Sequence, residues 1–317
     1  MSILRKAMKK EISSKNISMK FILEWIETSE SNLDSSKLLY KNKKFPESIF
    51  FLQQSIEKLT KASGLFMGAI KEKDLSNEIG HDLIKIYEKN LRKFSAKNNS
   101  FLKAMKKHPE LKEIKILNEI DRNELKDSLD DLSLALIEIR KNKNDIGKTS
   151  RNLGSYLSKI DKLFSNEAEA LKEINNFRLT EKQFARSKKE MIRLFEDIEK
   201  VQKLKGKEYK ETSNTEIEKL NKDFFEKIVK AYFPYVLTSL TIYMINLYLS
   251  IIILPHSVNR VRYPEGRGLD KIYNDRTPIV KNFNRIHEFQ IKNLEKTKKF
   301  IINYEKMEKK KAKSKFS

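Results

Sequence analysis

The chain has 317 residues, room for one elaborated domain or two modest ones. Its 35% charged and 39% hydrophobic residues, with only 8 Gly and 6 Pro, point to an almost all-α protein with long helices. The absence of cysteine excludes disulfides, thiolate nucleophiles and Cys-based zinc sites, and fits a reducing cytoplasm, while a net charge of +22 favours polyanions: RNA, DNA, nucleotides or an acidic membrane surface. Most of that excess is lysine, which also serves simply to keep helices soluble, whereas bidentate phosphate or base recognition usually falls to arginine.

The N-terminal MSILRKAMKKEISSKN is basic, lacks the apolar core and small-residue cleavage site of a secretory signal, and reads as a frayed helix or tail. The spacing predicts a first helix over Phe21 to Tyr40. Ile22, Trp25, Ile26, Ser29, Leu33, Ser36 and Tyr40 share one stripe, and the two serines let a neighbour approach closely. After a turn at Lys41–Phe45, Pro46 suits the first turn of a second helix, where its missing N–H costs nothing, and Glu47 sits near the positive helix end. Ile49, Leu52, Ile56, Leu59, Ser63, Phe66 and Ile70 alternate steps of three and four, a seam packed against other helices. This helix is expected to end near Lys73, with Gln53, Gln54, Glu57, Lys58 and Lys61 on its remaining faces. A third helix is expected after Gly80-His81-Asp82, with Asp82 as N-cap and Leu83, Ile86, Tyr87 and Leu91 inside.

Beyond Lys93 the texture changes to long charged helices. Leu125, Leu129, Leu132, Leu136 and Ile139 repeat with coiled-coil spacing, as do Leu153, Tyr156, Ile160, Leu163, Ala170, Ile174 and Phe177, interrupted by Glu167. Asn142–Ser150, with Gly147, turns one helix back on the other, and a further helix carries Phe184, Met191, Leu194, Ile198 and Val201. Ala231–Leu254 contains no Asp, Glu, Lys, Arg or His and passes a membrane-span threshold. Thr238, Ser239, Thr241, Asn246 and Ser250 scatter polar groups through it and Pro234 disrupts its start, so it reads as a buried core helix, with a single-pass membrane span as the alternative. The last helix runs from Pro278 to about Lys306, ahead of a Lys-rich tail expected to be mobile.

The order of these elements carries a family resemblance. A helix leading into LLYKNKKFPESIFFLQQSIEKLTKA, then GHDL, then RYP before a C-terminal helix resembles the HEPN superfamily of prokaryotic helical-bundle proteins. The matching residues are Tyr40, Phe45, Gln54, Glu57, Lys58, Lys61, His81, Asp82, Arg262, Tyr263 and Pro264, over about 20–93 and 231–306. The resemblance implies four or five packed helices, a homodimer, and a nucleotidyltransferase-type protein, an RNA or a nucleotide as partner, in a toxin–antitoxin or phage-defence setting. Active members of the superfamily are metal-independent RNases whose Arg and His, four to six residues apart, place a cation and a general acid/base beside one phosphate. This chain departs from that pattern. None of His81, His108, His256 and His287 has an Arg five to seven positions ahead of it, and His256 and Arg260 occur in reversed order.

Each candidate site has a plainer reading beside it. His81 and Asp82 could orient an imidazole, but such a pair is more often a helix start. His256, Arg260, Arg262, Tyr263, Arg267 and Lys271 form the best polar constellation, able to clamp a phosphate or stack a base, or else a solvated loop between core helices. Glu57, Lys58 and Lys61 line a groove facing a dimer mate or, as favoured here, include an ordinary surface pair. The histidines lack metal-ligand spacing, and no Gly-rich phosphate loop, nucleophile elbow or dinucleotide fingerprint occurs, so neither metal nor cofactor is expected.

Together these readings give an all-α protein: a HEPN-like bundle from 1–93 and 231–306, an antiparallel coiled-coil-like insertion at 94–230, and a basic disordered tail at 307–317. Its expected work is cytoplasmic, non-catalytic or weakly catalytic binding of RNA, a nucleotide or a protein partner. Arg260, Arg262, Tyr263 and Lys58 are the candidate anion ligands, and His81 and His256 the weaker catalytic candidates. The alternatives are a single-pass membrane protein with a cytosolic coiled-coil region and an RNase with an atypical His/Arg site.

Overall fold

Ser18 caps the first described helix: its Oγ accepts the Phe21 amide at 3.1 Å at the start of α1, Met19–Lys41. The computed structural model describes residues 18–80, 82–93, 136, 137, 139–141, 145–185, 188, 189, 192, 221–256 and 272–313. Ile22, Ile26, Ser29, Leu33 and Ser36 form the buried face of α1, four or three residues apart as its periodicity requires. A turn with Lys43 at φ 57° reverses the chain into α2, Phe45–Phe66, which has Pro46 in its first turn and Glu47 at its positive end. The serines act as spacing dictates. Ser29 Oγ donates to the Ser55 carbonyl at 2.7 Å and Ser48 Oγ to the Ser36 carbonyl at 2.9 Å, so α1 and α2 run antiparallel at close range.

The helix α2 is enclosed on most of its circumference. Its expected seam is buried, and so are Gln53, Gln54, Ser55, Glu57, Thr60, Lys61 and Ala62 on the faces expected to be polar and open. It stops at Phe66, before the expected end near Lys73, because Gly68 takes the left-handed conformation (φ 66°) that closes a helix C-terminus. A single turn Glu72–Asp74 and a π turn Leu75–Ile79 follow, and Gly80 turns at φ 50° before α3, whose described part is 84–93. Asp82 precedes α3 and its carboxylate lies 3.5 Å from Arg140, which also pairs with Glu88 at 3.0 Å.

Two compact units divide the chain: Met1–Lys93, Leu132–Phe164 and Ser239–Ser317 form one, and Phe94–Asp131 with Ser165–Thr238 the other. Their borders fall inside helices α4, Ile146–Asn176, and α5, Lys222–Ile253. The first unit thus takes in the start of α4, where Leu153, Leu157 and Ile160 are buried, a stretch the sequence reading assigned to the insertion at 94–230. Asp145 starts α4 by accepting the Lys148 amide on Oδ1 at 2.9 Å, so helix occupies the later part of the stretch Asn142–Ser150 expected to turn, of which 142–144 lie outside the described residues. In the second unit, Glu226 on α5 accepts the Leu179 amide at 2.9 Å and Lys222 pairs with Glu181 at 3.1 Å.

In α5, which contains Pro234 within its helical span, the polar residues of the C-terminal half explain that half's place in the first unit. Asn246 Nδ2 donates to Ser63 Oγ at 3.1 Å and its Oδ1 accepts from Asn293 Nδ2 at 2.8 Å. Ser250 Oγ lies 2.9 Å from the Tyr87 hydroxyl and 3.4 Å from Thr60 Oγ1. Between these polar links, Ile242, Ile245, Leu249, Ile252 and Ile253 are buried. By length and composition Val229–His256 could cross a membrane, and half of its most apolar window is buried. After a short helix, Pro278–Lys281, and a break at Asn282, helix α6 spans Phe283–Lys313. It packs on α1 through Lys298–Glu30 (2.9 Å) and Lys37–Asn284 (2.7 Å), and on α2 through Gln290 Nε2, which donates to Ser55 Oγ at 3.1 Å. Helix therefore continues across 307–313, where a disordered tail was expected, since Met, Glu, Lys and Ala are all good helix formers.

Candidate functional site

On the α1 side of α2 the chain buries charge. Glu57 is 0% exposed, and Lys61, one turn on, donates to its Oε1 at 2.7 Å with a side chain only 5% exposed. Lys58 lies 4.0 Å from the same oxygen and is 21% exposed. Both ammonium groups stand over the Trp25 ring of α1, at 5.1 Å for Lys58 and 5.5 Å for Lys61 from the ring centre. An indole face attracts cations through its quadrupole, so it and Glu57 together offset the loss of hydration. The expected surface pair is therefore a buried one. Helical periodicity alone could not show this, because α1 covers a face of α2 whose residue types suit solvent.

Gln54 belongs to the same stripe. At 100° per residue, Gln54, Lys58 and Lys61 fall within about 60° of one another around α2. Gln54 is 9% exposed and its Nε2 has no hydrogen-bond partner. Native proteins rarely leave a buried donor in that state. The arrangement offers a lysine with partial access to solvent, a second lysine neutralising a carboxylate, an unused amide donor and an aromatic face, which is the chemistry of an anion with a flat group attached.

The other sequence-predicted residues lie elsewhere. His256, in the 3₁₀ turn Leu254–His256, is buried, and its Nδ1 is 2.9 Å from the Tyr273 hydroxyl. Burial pulls its imidazole down to about 4, so it is neutral at physiological pH. His287 on α6 is buried too, with Nε2 donating to the Leu33 carbonyl at 3.2 Å, and burial again holds its imidazole below the ordinary value. Both have structural partners and neither is open to a substrate. His81, His108, Arg260, Arg262 and Tyr263 lie outside the described residues. Among the described residues no cluster of three His, Asp or Glu could hold a metal ion.

Residues 22–140 match the family model of the HEPN domain. Over this stretch, which is under half of the chain, the sequence is similar to the HEPN domain. No curated protein and no solved structure matches the chain at a significant level. The HEPN match takes in α1, α2 and α3, and with them Trp25, Gln54, Glu57, Lys58 and Lys61. It also runs on past Lys93 to residue 140, while α4, α5 and α6, which complete the core of the first unit, lie beyond it. In the sequence reading Lys58 was a candidate anion ligand, Lys61 a matching residue of the family resemblance that lined a groove or formed a surface pair, and Trp25 part of a packing stripe. Their signal was present: a lone tryptophan on one helix, and lysines three apart on the helix that must pack against it.

Proposed function

We propose that this HEPN-domain chain binds single-stranded RNA without cleaving it, in a toxin–antitoxin or phage-defence setting. The observation that carries the proposal is the HEPN match over 22–140 in a chain that lacks an Arg five to seven positions ahead of any histidine. The net charge of +22 supports a polyanionic ligand, and the burial of His256 and His287 removes two of four imidazoles from proton transfer to a bound strand. A second copy of the chain and a nucleotidyltransferase-type protein are the partners this setting supplies, and light scattering and co-purification test them. We place the protein in the cytoplasm, because Asn246 and Ser250 of α5 turn their polar groups into the bundle. Alkaline extraction that leaves the protein in a membrane pellet would refute that placement.

Fluorescence anisotropy of a labelled single-stranded RNA, titrated with the full chain at several salt concentrations, tests the binding. Affinity should fall linearly in log–log form with salt, and replacing Arg260 and Arg262 together by Ala should weaken binding and flatten the slope. Absence of binding at low salt would end the proposal.

A further inference from the structure

The Trp25 side of α2 holds four groups that the fold alone does not require. A buried ion pair is a poor source of stability, since apolar residues of similar volume usually do as well. An unpartnered buried amide donor is a cost with no structural return. Yet Gln54, with its unpartnered Nε2, shares one stripe of α2 with Lys58 and Lys61 by helical period, Trp25 of α1 lies under the two lysines, and Glu57 holds Lys61. Lys58 differs from Lys61 in two respects that matter: it is 21% exposed, and it sits 4.0 Å from the carboxylate that Lys61 contacts at 2.7 Å.

Resting on the RNA-binding reading, we propose that these residues take one nucleotide of the strand. Its phosphate is held by Lys58 and by Gln54 Nε2, and its base lies on the indole face of Trp25. Lys61 stays on Glu57 and acts as a positioning residue, keeping the carboxylate neutralised so that it does not repel the phosphate. Lys58 moves from the ring to the phosphate, and the base then stacks on the part of the Trp25 ring that Lys61, still 5.5 Å from its centre, leaves uncovered. Each exchange is like for like: a charge for a charge over Lys58, a π partner for a π partner over Trp25. The orphan donor of Gln54 gains the acceptor it lacks in the free protein.

The chain contains one tryptophan, so its emission reports on this site alone. The wild-type chain is titrated with a ten-residue oligouridylate and, separately, with inorganic phosphate, following Trp25 emission and, for the labelled oligonucleotide, anisotropy. Saturable quenching by the oligonucleotide, in step with anisotropy and much weaker with inorganic phosphate, is the expected result. Gln54→Met, which keeps the shape and removes the unused donor, should weaken oligonucleotide binding roughly tenfold while its urea midpoint equals or exceeds that of the wild type. Lys58→Gln should weaken binding to a similar degree. If the oligonucleotide binds by anisotropy while Trp25 emission stays flat, or both variants bind within about twofold of the wild type, this assignment is overturned and RNA binding stands. If anisotropy shows no binding, both fall together.

Discussion

Replacing Lys61 by Met strands the Glu57 carboxylate. At 2.7 Å, with the effective dielectric of about 20 that suits buried pairs, the attraction lost is 332/(20 × 2.7), roughly 6 kcal/mol before hydration is counted. Lys58, at 4.0 Å from the same oxygen, retains roughly 4 kcal/mol on the same scale and softens the loss. Breaking one side of a buried pair generally costs about 3–5 kcal/mol, so the lower end, about 3 kcal/mol, is expected for Lys61→Met. Urea unfolding followed by Trp25 emission reads this out as a midpoint lower by about 1.5 M, for a slope near 2 kcal/mol/M. The double variant Glu57→Leu/Lys61→Met removes both charges and should return to within about 1 kcal/mol of the wild type. A Lys61→Met midpoint within about 0.3 M of the wild type would show that Glu57 is not held as a buried carboxylate, and the reasoning about this site would fail.

Three further outcomes follow from the core. His256 takes a proton near 6.5 when unfolded but only near 4 when folded, so the unfolded chain binds the extra proton between those values and stability falls as pH drops through that window. The difference, 6.5 − 4, amounts to roughly 3 kcal/mol, and urea midpoints between pH 4 and 7 should show a shallower pH slope for His256→Gln than for the wild type. Asn246→Leu deprives both Ser63 and Asn293 of their shared partner and should cost about 2–4 kcal/mol by urea denaturation. Ser29→Ala should cost about 1 kcal/mol for its lost bond to the Ser55 carbonyl, whereas Ser29→Val adds volume where α1 touches α2 and should cost about 2–4 kcal/mol in the same assay.

The helices and their inner stripes were legible because apolar residues recur with helical period and because Pro46 and the paired serines carry unambiguous backbone meaning. The same logic failed where residue type and environment part company. Gln53, Gln54, Glu57 and Lys61 have the composition of a solvated face, and only the covering of α2 by its neighbours puts them inside. In Ala231–Leu254 the scattered Thr, Asn and Ser argued for a core position; in its C-terminal half Asn246 and Ser250 are bonded to α2 or α3, while Phe233 and Leu240 in the N-terminal half are exposed. Helix ends were read less well. Gly68, an αL stop, ended α2 early, and Asp145 caps α4 inside the stretch Asn142–Ser150 that was expected to be a turn. The border of the bundle could not be read at 93/94, because α4 buries Leu153, Leu157 and Ile160 with a texture that equally suits a coiled coil.

The most direct measurement follows the fate of a bound strand. A labelled single-stranded RNA is held at saturation with the full chain, without added metal, and is recovered over hours for a denaturing gel while anisotropy confirms that it remains bound. The account predicts saturation with full-length RNA throughout. Shortened products that vanish with His81→Ala would contradict it and restore the nuclease reading; a strand that never binds would remove nucleic acid from the function of this chain.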